Sequence, residues 1–249
     1  MIVLGFDTAT RSTAVGLRLS AERTLRARDD PGSGEHPGHA TRLLSMTGEL
    51  LAGAGVRWSE IDRIAVGLGP GTFTGLRVGI ATARGLAQSL SAELVGASSL
   101  RALAQAAVAD GERRGVLAVI DARRGQAFVA AYRAIERTSL SELAPARALV
   151  PGELGGVLTQ VEELGGEHGE AWLGVGDGAI RFRGHLELCG VEVPPDSSPL
   201  HAVDGGAICD LGRWVPAAGS YEEVVPDYGR RPDAEIARDG VGASEGLRS

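Results

Sequence analysis

The sequence predicts an α/β protein of two related lobes, each with a mixed sheet flanked by helices, and three observations carry that prediction. Three short apolar or alternating segments at the start give way to alternating helix and strand signals, as in an α/β lobe. The same opening returns near residue 116, which looks like a duplication. A chain of 249 residues with 43% hydrophobic and 23% charged side chains also has material for two cores. No apolar run approaches the ~20 residues that cross a bilayer. The opening Met-Ile-Val-Leu-Gly-Phe-Asp lacks a basic leader and a small-residue cleavage pattern, so a cytoplasmic protein without membrane contact is expected.

The elements follow in order. Residues 2–7 are an apolar strand ending in Asp7, Thr13–Leu19 alternates as its antiparallel neighbour, and residues 22–28 complete a meander. The Pro/Gly-rich stretch 30–38 is a loop. From His39 the positions Ala40, Leu43, Leu44, Thr47, Leu50, Leu51 and Ala54 follow i, i+3, i+4 spacing, which predicts a four-turn amphipathic helix closed by Gly53 and Gly55. Strand 63–68, turn 69–75, helix 76–90, strand 93–97 and an alanine-rich helix 98–109 finish the first lobe. Val116–Asp121 then repeats the form of Ile2–Asp7, with Asp sixth in each, and Gln126–Arg133 is its hairpin partner. Beyond lie a helix at 151–164 with proline in its first turn, a strand at 172–175 and a helix at 201–214. The domain division is 1–110, 111–229 and a polar, frayed tail 230–249.

All 25 side chains in the Lys+Arg total are arginines. The absence of lysine excludes Schiff-base chemistry, the Walker-A lysine and the kinase-type lysine. Net charge is −7, with 11 arginines against 10 acids in residues 1–110 and 14 against 22 in residues 111–249. No basic stripe marks a chain that grips nucleic acid on its own, so contact with RNA is expected only indirectly. Cys189 and Cys209, without a CxxC pair, read as free thiols.

Four motifs invite a chemical reading. Gly69-Pro-Gly-Thr-Phe-Thr-Gly75 joins a strand to a helix, a geometry that can gather backbone N–H groups around an anion, yet it satisfies neither GxxxxGK[ST] nor GxGxxG. A tight turn capped by Thr72 or Thr74 is the alternative. Gly174-Val-Gly-Asp-Gly-Ala179 formally fits GxGxxA, but far from a first βαβ unit. Asp7, with Thr8 and Thr10 beside it, could hold a magnesium ion through water, with Asp121 as the equivalent acid of the second lobe; capping of hairpins is the other role such residues take. His36-x-x-His39 is broken by Pro37 and Gly38 and lacks a third ligand, and no HExxH or GxSxG occurs, so neither a metal nor a hydrolase nucleophile is expected.

Helix 76–90 carries a different signal. At 100° per residue, Leu76, Ile80, Leu86 and Leu90 share an arc with Gly79, Ala83 and Ala87. The opposite arc offers Val78, Ala81, Thr82, Gly85 and Ser89, interrupted by Arg77, Arg84 and Gln88. Such small residues let a second helix approach, either from a partner protein or from helix 39–54 of the same chain.

Residues 61–87, with the core Val66-Gly-Leu-Gly-Pro-Gly-Thr-Phe-Thr-Gly-Leu-Arg-Val-Gly-Ile-Ala, resemble the TsaB (YeaZ) family of bacterial tRNA-modification proteins. So do Leu4-Gly-Phe-Asp-Thr-Ala-Thr, Arg42-Leu-Leu, Ser98-Ser-Leu-Arg-Ala-Leu-Ala, Ile120-Asp-Ala-Arg-Arg-Gly-Gln-Ala-Phe and Pro226-Asp-Tyr-Gly-Arg. The resemblance covers about residues 1–130. It implies an actin-like ATPase fold of the ribonuclease H-like kind and a part in making threonylcarbamoyladenosine in tRNA, as the non-catalytic partner of a paralogous transferase, TsaD. The paralogue's HxxxH metal pair falls here on Ala97-Ser-Ser-Leu-Arg101, without histidine, so its glycoprotease label does not transfer. The partners implied are TsaD in a heterodimer and a TsaE-type ATPase in a larger complex, with homodimerisation of the lone chain left open. The interface is expected at Leu43, Leu44, Arg77, Ala81, Arg84 and Gly85. No catalytic residue, metal or cofactor of its own is expected, apart from a weak adenine nucleotide in the complex at a vestigial site of Asp7, Thr8, Gly69, Gly71 and Thr72. The alternative is an independent ATP- or metal-dependent enzyme of the M22 peptidase-like class, using Asp7, Asp121 and the 69–75 turn.

Overall fold

The apolar run Val3–Asp7 forms a central strand, β1, with neighbours of opposite kinds on its two edges. Thr13–Arg18 (β2) pairs antiparallel to it and Thr24–Asp29 (β3) pairs with β2, while Arg63–Gly69 (β4) and Glu93–Ser98 (β5) add on in parallel. The order is β3-β2-β1-β4-β5. Helices His39–Ala54 (α1) and Phe73–Leu90 (α2) make the crossovers, and Ser99–Ala109 (α3) follows β5. This computed structural model describes residues 1–32, 34–109, 115–136, 139–163 and 171–229.

The second sheet repeats the plan. Gly115–Arg123 (β6), Gln126–Glu136 (β7) and Ser139–Leu149 (β8) form the meander, and Trp172–Val175 (β9) and Val191–Glu192 (β10) add on in parallel, in the order β10-β9-β6-β7-β8. Leu154–Glu163 (α4), Asp177–Arg181 (α5) and Arg183–Leu188 (α6) lie on its outer face, and Gly205–Trp214 (α7) ends the repeat.

Strand alternation decides what lies on each face. Leu4 and Phe6 of β1 point outward to Leu43, Met46 and Leu51 of α1 and Ile80, Ala83 and Ala87 of α2. Val3 and Gly5 point inward, where α7 presses so close that a Cβ on Gly5 would stand 2.7 Å from the Cys209 backbone nitrogen. Meanwhile α3 packs on the inner face of the second sheet, with Leu100, Leu103, Ala104 and Ala107 against Val116, Ala118, Ile120 and Phe128. The last helix of each repeat is thus applied to the other repeat's sheet. Five layers result: α1 and α2, the first sheet, α3 with α7, the second sheet, then α4 to α6. This is the actin-like ATPase arrangement.

Several boundaries differ from the sequence reading. α2 begins at Phe73 rather than 76, because the turn closes early when the Thr72 N–H donates to the Ala9 carbonyl at 2.7 Å. The expected helix 201–214 is a 3-10 turn, Pro199–His201, followed by α7, whose start is fixed by the Asp204 carboxylate accepting the Gly206 and Ala207 N–H groups. The helix expected at 151–164 opens likewise with a 3-10 turn before α4. β8, α5, α6 and β10 had no counterpart in the sequence reading. The division at 110/111 and the tail 230–249 fall outside the described residues.

Candidate functional site

At the end of β1 the chain turns inward rather than toward solvent. Asp7 is 0% and Thr8 2% exposed. One Asp7 carboxylate oxygen accepts the Ser99 hydroxyl at 2.5 Å and the other the Ala9 N–H at 2.8 Å. Burial pushes the Asp7 carboxyl above its ordinary value of 3.8, while these two hydrogen bonds pull the other way. The Thr8 hydroxyl donates to the Gly75 carbonyl at 2.8 Å, and α2 lies so near that a Cβ on Gly75 would sit 1.9 Å from the Thr8 carbonyl oxygen. Gly71 backs onto Ala9 at 2.4 Å in the same sense. Gly69 holds φ +103°, open to glycine but strained for other residues, and its missing side chain makes room for the Asp227 carbonyl at 2.5 Å.

The second-lobe counterpart is similarly occupied. One Asp121 oxygen accepts the Arg123 N–H at 2.9 Å, closing the β6–β7 hairpin, and the other pairs with Arg181 at 2.9 Å. Asp177, first residue of α5, accepts the Asp121 N–H at 3.0 Å, and burial raises its carboxyl above the usual range. In the formal GxGxxA match, Gly176 and Gly178 lie against the backbone of Val119 and Ile120 in β6. His39 is buried with Nδ1 2.8 Å from the Thr13 hydroxyl, and burial lowers its basicity. Among the described residues no three His, Cys, Asp or Glu side chains stand together as a metal site.

The outer face of α1 and α2 is the open surface. Ala81 and Gly85 are exposed one turn apart on α2, and a Cβ on Gly85 would meet nothing within 4 Å. Leu44 of α1 is 47% and Phe73 of α2 54% exposed. One flank of α2 is covered by residues 218–228, which run antiparallel along it as a strap. Tyr221 donates to the Ala87 carbonyl at 3.3 Å, Arg84 Nη2 to the Glu222 and Val224 carbonyls at 2.9 and 2.8 Å, and Arg77 Nε to the Tyr228 hydroxyl at 3.2 Å. Phe73 stacks on Tyr228 at 5.3 Å, with the Arg77 guanidinium 3.8 Å above the Phe73 ring.

The sequence and the fold have counterparts among known proteins. The sequence model of TsaD, tRNA N6-adenosine threonylcarbamoyltransferase, matches residues 35–160. The tRNA threonylcarbamoyladenosine biosynthesis protein TsaB of Escherichia coli is 34% identical over 182 residues, 72% of each chain. The chain belongs to the TsaB (YeaZ) family. The Haemophilus influenzae TsaB is 36% identical over 51% of this chain and 52% of its own. The structure of YeaZ from Pseudomonas aeruginosa superposes with a TM-score of 0.72 at 28% identity, covering 91% of this chain and 99% of that one.

In this TsaB-family chain the residues expected to meet a partner divide. Leu43 is 1% exposed and belongs to the core beneath α1, so its place among the interface residues is corrected: the stripe that begins the helix faces the sheet. Arg77 gives Nε and Arg84 gives Nη2 to the strap. Leu44, Ala81 and Gly85 remain open. The turn expected as a vestigial ligand site is tightly packed: Asp7 and Thr8 are buried, Thr72 makes no side-chain cap, and Gly69 and Gly71 stand against backbone. The Phe73–Arg77–Tyr228 cluster went unforeseen; its signals were an aromatic residue inside the glycine-rich turn and the Pro-x-Tyr at 226–228. In the stretch Ala97–Arg101, Ala97 is buried and Arg101 donates to the Leu140 carbonyl at 2.8 Å.

Proposed function

We propose that this chain serves tRNA threonylcarbamoyladenosine biosynthesis as a non-catalytic subunit that docks a TsaD transferase on the outer face of α1 and α2. The observation that carries the reading is the open seam at Ala81 and Gly85, small residues on a long helix whose flank is already filled by the strap. A partner helix can approach such a seam to backbone distance, and the related fold of TsaD offers equivalent helices for a pseudo-symmetric bundle. The absence of a catalytic role is supported by the sealed Asp7 and by the replacement of the paralogue's histidines. On this reading the chain takes no cofactor of its own, an adenine nucleotide enters only in the complex, a TsaE-type ATPase joins the assembly, and tRNA is contacted through the partner. Alone, the same seam serves a homodimer.

Ala81→Glu tests this. Burying an unpaired charge at a packed interface costs several kcal/mol, about a hundredfold or more in affinity, whereas on an open helix face it changes stability by a few tenths. The expected result is an unchanged thermal midpoint with lost binding to purified TsaD and lost threonylcarbamoyladenosine in a reconstituted reaction. Binding at the parent's affinity would refute the docking face.

A further inference from the structure

A cavity of about 480 Å³ opens on the side of the first sheet away from α1 and α2, walled by β2, β3, α3, α7 and the turn before α7. That volume is in the range of small-molecule sites, roughly 300–1,000 Å³. It shares no residue with the docking seam or with the sealed end of β1. Its depth is graded by burial: Ala14, Val203, Ala207 and Gln105 are buried at its floor, and Arg26 and Arg28 are exposed at its mouth.

Gln105 is the feature that asks for a ligand. It is 7% exposed, it lines the cavity, and its carboxamide has no hydrogen-bond partner among the described residues. Its carboxamide opens onto the cavity, where donor and acceptor stand side by side, ready for a complementary donor–acceptor edge. The residues around it are small, Ala14, Ala27, Ala106, Gly205 and Ala207, and leave room for a planar ring beside the amide. The charges at the mouth are already matched: Arg26 with Asp204 at 3.0 Å, Arg28 with Asp30 at 2.8 Å, and Arg18 with Asp210. A ligand therefore gains little by bringing a net charge, while Asp204 and Asp210 can still accept hydroxyl hydrogens.

We propose that this cavity binds an uncharged nucleoside, its base edge on the Gln105 carboxamide and its ribose hydroxyls toward Asp204 and Asp210. Glutamine pairing with the edge of a base is a recurring recognition mode, as is a carboxylate accepting ribose hydroxyls.

Titration calorimetry of the full chain with adenosine, guanosine, cytidine and uridine, each also as its 5′-monophosphate, tests the assignment. At least one nucleoside is expected to bind, with its monophosphate no tighter. Gln105→Leu should weaken that binding about tenfold or more without lowering the thermal midpoint, because it removes an amide that has no partner in the ligand-free fold. Ala106→Phe, which fills the cavity from α3, should abolish it. Hydrogen exchange on the unmodified chain provides a check that needs no variant: the bound nucleoside should protect α3 amides around Gln105. Absence of binding at millimolar nucleoside, affinity unchanged in Gln105→Leu, a monophosphate ten times tighter than its nucleoside, or protection confined to other elements would each overturn the proposal.

Discussion

Two Gly→Ala substitutions in the same helix should move stability in opposite directions. By helix propensity alone each would stabilise α2 by up to ~1 kcal/mol. At Gly85 nothing lies within 4 Å of the added carbon, so Gly85→Ala should realise most of that gain, a rise of about 2–4 °C in a chain of this size. At Gly75 the added carbon would fall 1.9 Å from the Thr8 carbonyl oxygen and 2.6 Å from the Thr72 hydroxyl. Neither the β1 end nor the helix start is a flexible tip, so the helix must move off the strand. That displacement also stretches the bond from the Thr8 hydroxyl to the Gly75 carbonyl. Overpacking costs typically ~1–3 kcal/mol and a lost buried hydrogen bond ~1 kcal/mol. Subtracting the propensity gain leaves a net loss of about 2 kcal/mol, a fall of roughly 4–8 °C. Differential scanning calorimetry of the two variants beside the parent reads both signs at once. A Gly75→Ala protein that melts at or above the parent would refute the close packing of α2 on the end of β1.

Further outcomes follow from the same geometry. Arg84→Leu strips the Glu222 and Val224 carbonyls of their donor and should destabilise the strap by about 1–3 kcal/mol, seen as faster proteolysis near residues 218–228; an unchanged cleavage rate would show that Arg84 does not hold it. Burial raises the Asp7 carboxyl, so its protonated form is the better tolerated in the fold, and its contribution to stability is present below about 3.8 and lost as pH rises through the raised value. Asp7→Asn should therefore out-melt the parent most at neutral pH, with the gap closing toward acid; a gap independent of pH contradicts this. Cys209 is buried with its thiol pushed up to about 12, while Cys189 is exposed, so a thiol reagent at neutral pH should modify Cys189 alone until denaturant is added. Rapid reaction of both would show that α7 does not cover Cys209.

The parts of the fold that periodicity could reveal are those whose partners are local or whose faces are uniform. α1 has the predicted bounds because its stripe is regular and Gly55, at φ +69°, ends it. The duplicated opening was legible because both central strands are buried on two faces and so read as apolar runs. β8 was not, since Pro145 and small residues blur its alternation; it exists because it lies at a sheet edge, where a proline is tolerated and β7 supplies the pairing. The strap has no period at all: the bonds from Arg84 and Arg77 span 138 to 151 positions, and no window of sequence contains both ends. For the site, the glycines at 69, 71 and 75 were conspicuous, but a glycine says only that something comes close. In this chain the near neighbours are backbone, the carbonyls of Asp227, Ala9 and Thr8.

The reciprocal placement of α3 and α7 also bears on how the chain is made. As it leaves the ribosome, the first sheet can cover its outer face with α1 and α2, but its inner face waits for α7; the Cys209 thiol meets the Val3 carbonyl across 206 positions. Gly5 and Gly16, which admit α7 to contact distance, spend that interval as an uncovered apolar surface. Any clip or stop before Trp214 leaves that surface bare, and the rest of the chain cannot compensate, because α3 is itself the cover for the second sheet. Nascent chains shorter than this should be clients for chaperones, and two halves expressed apart should be rescued by each other rather than fold alone.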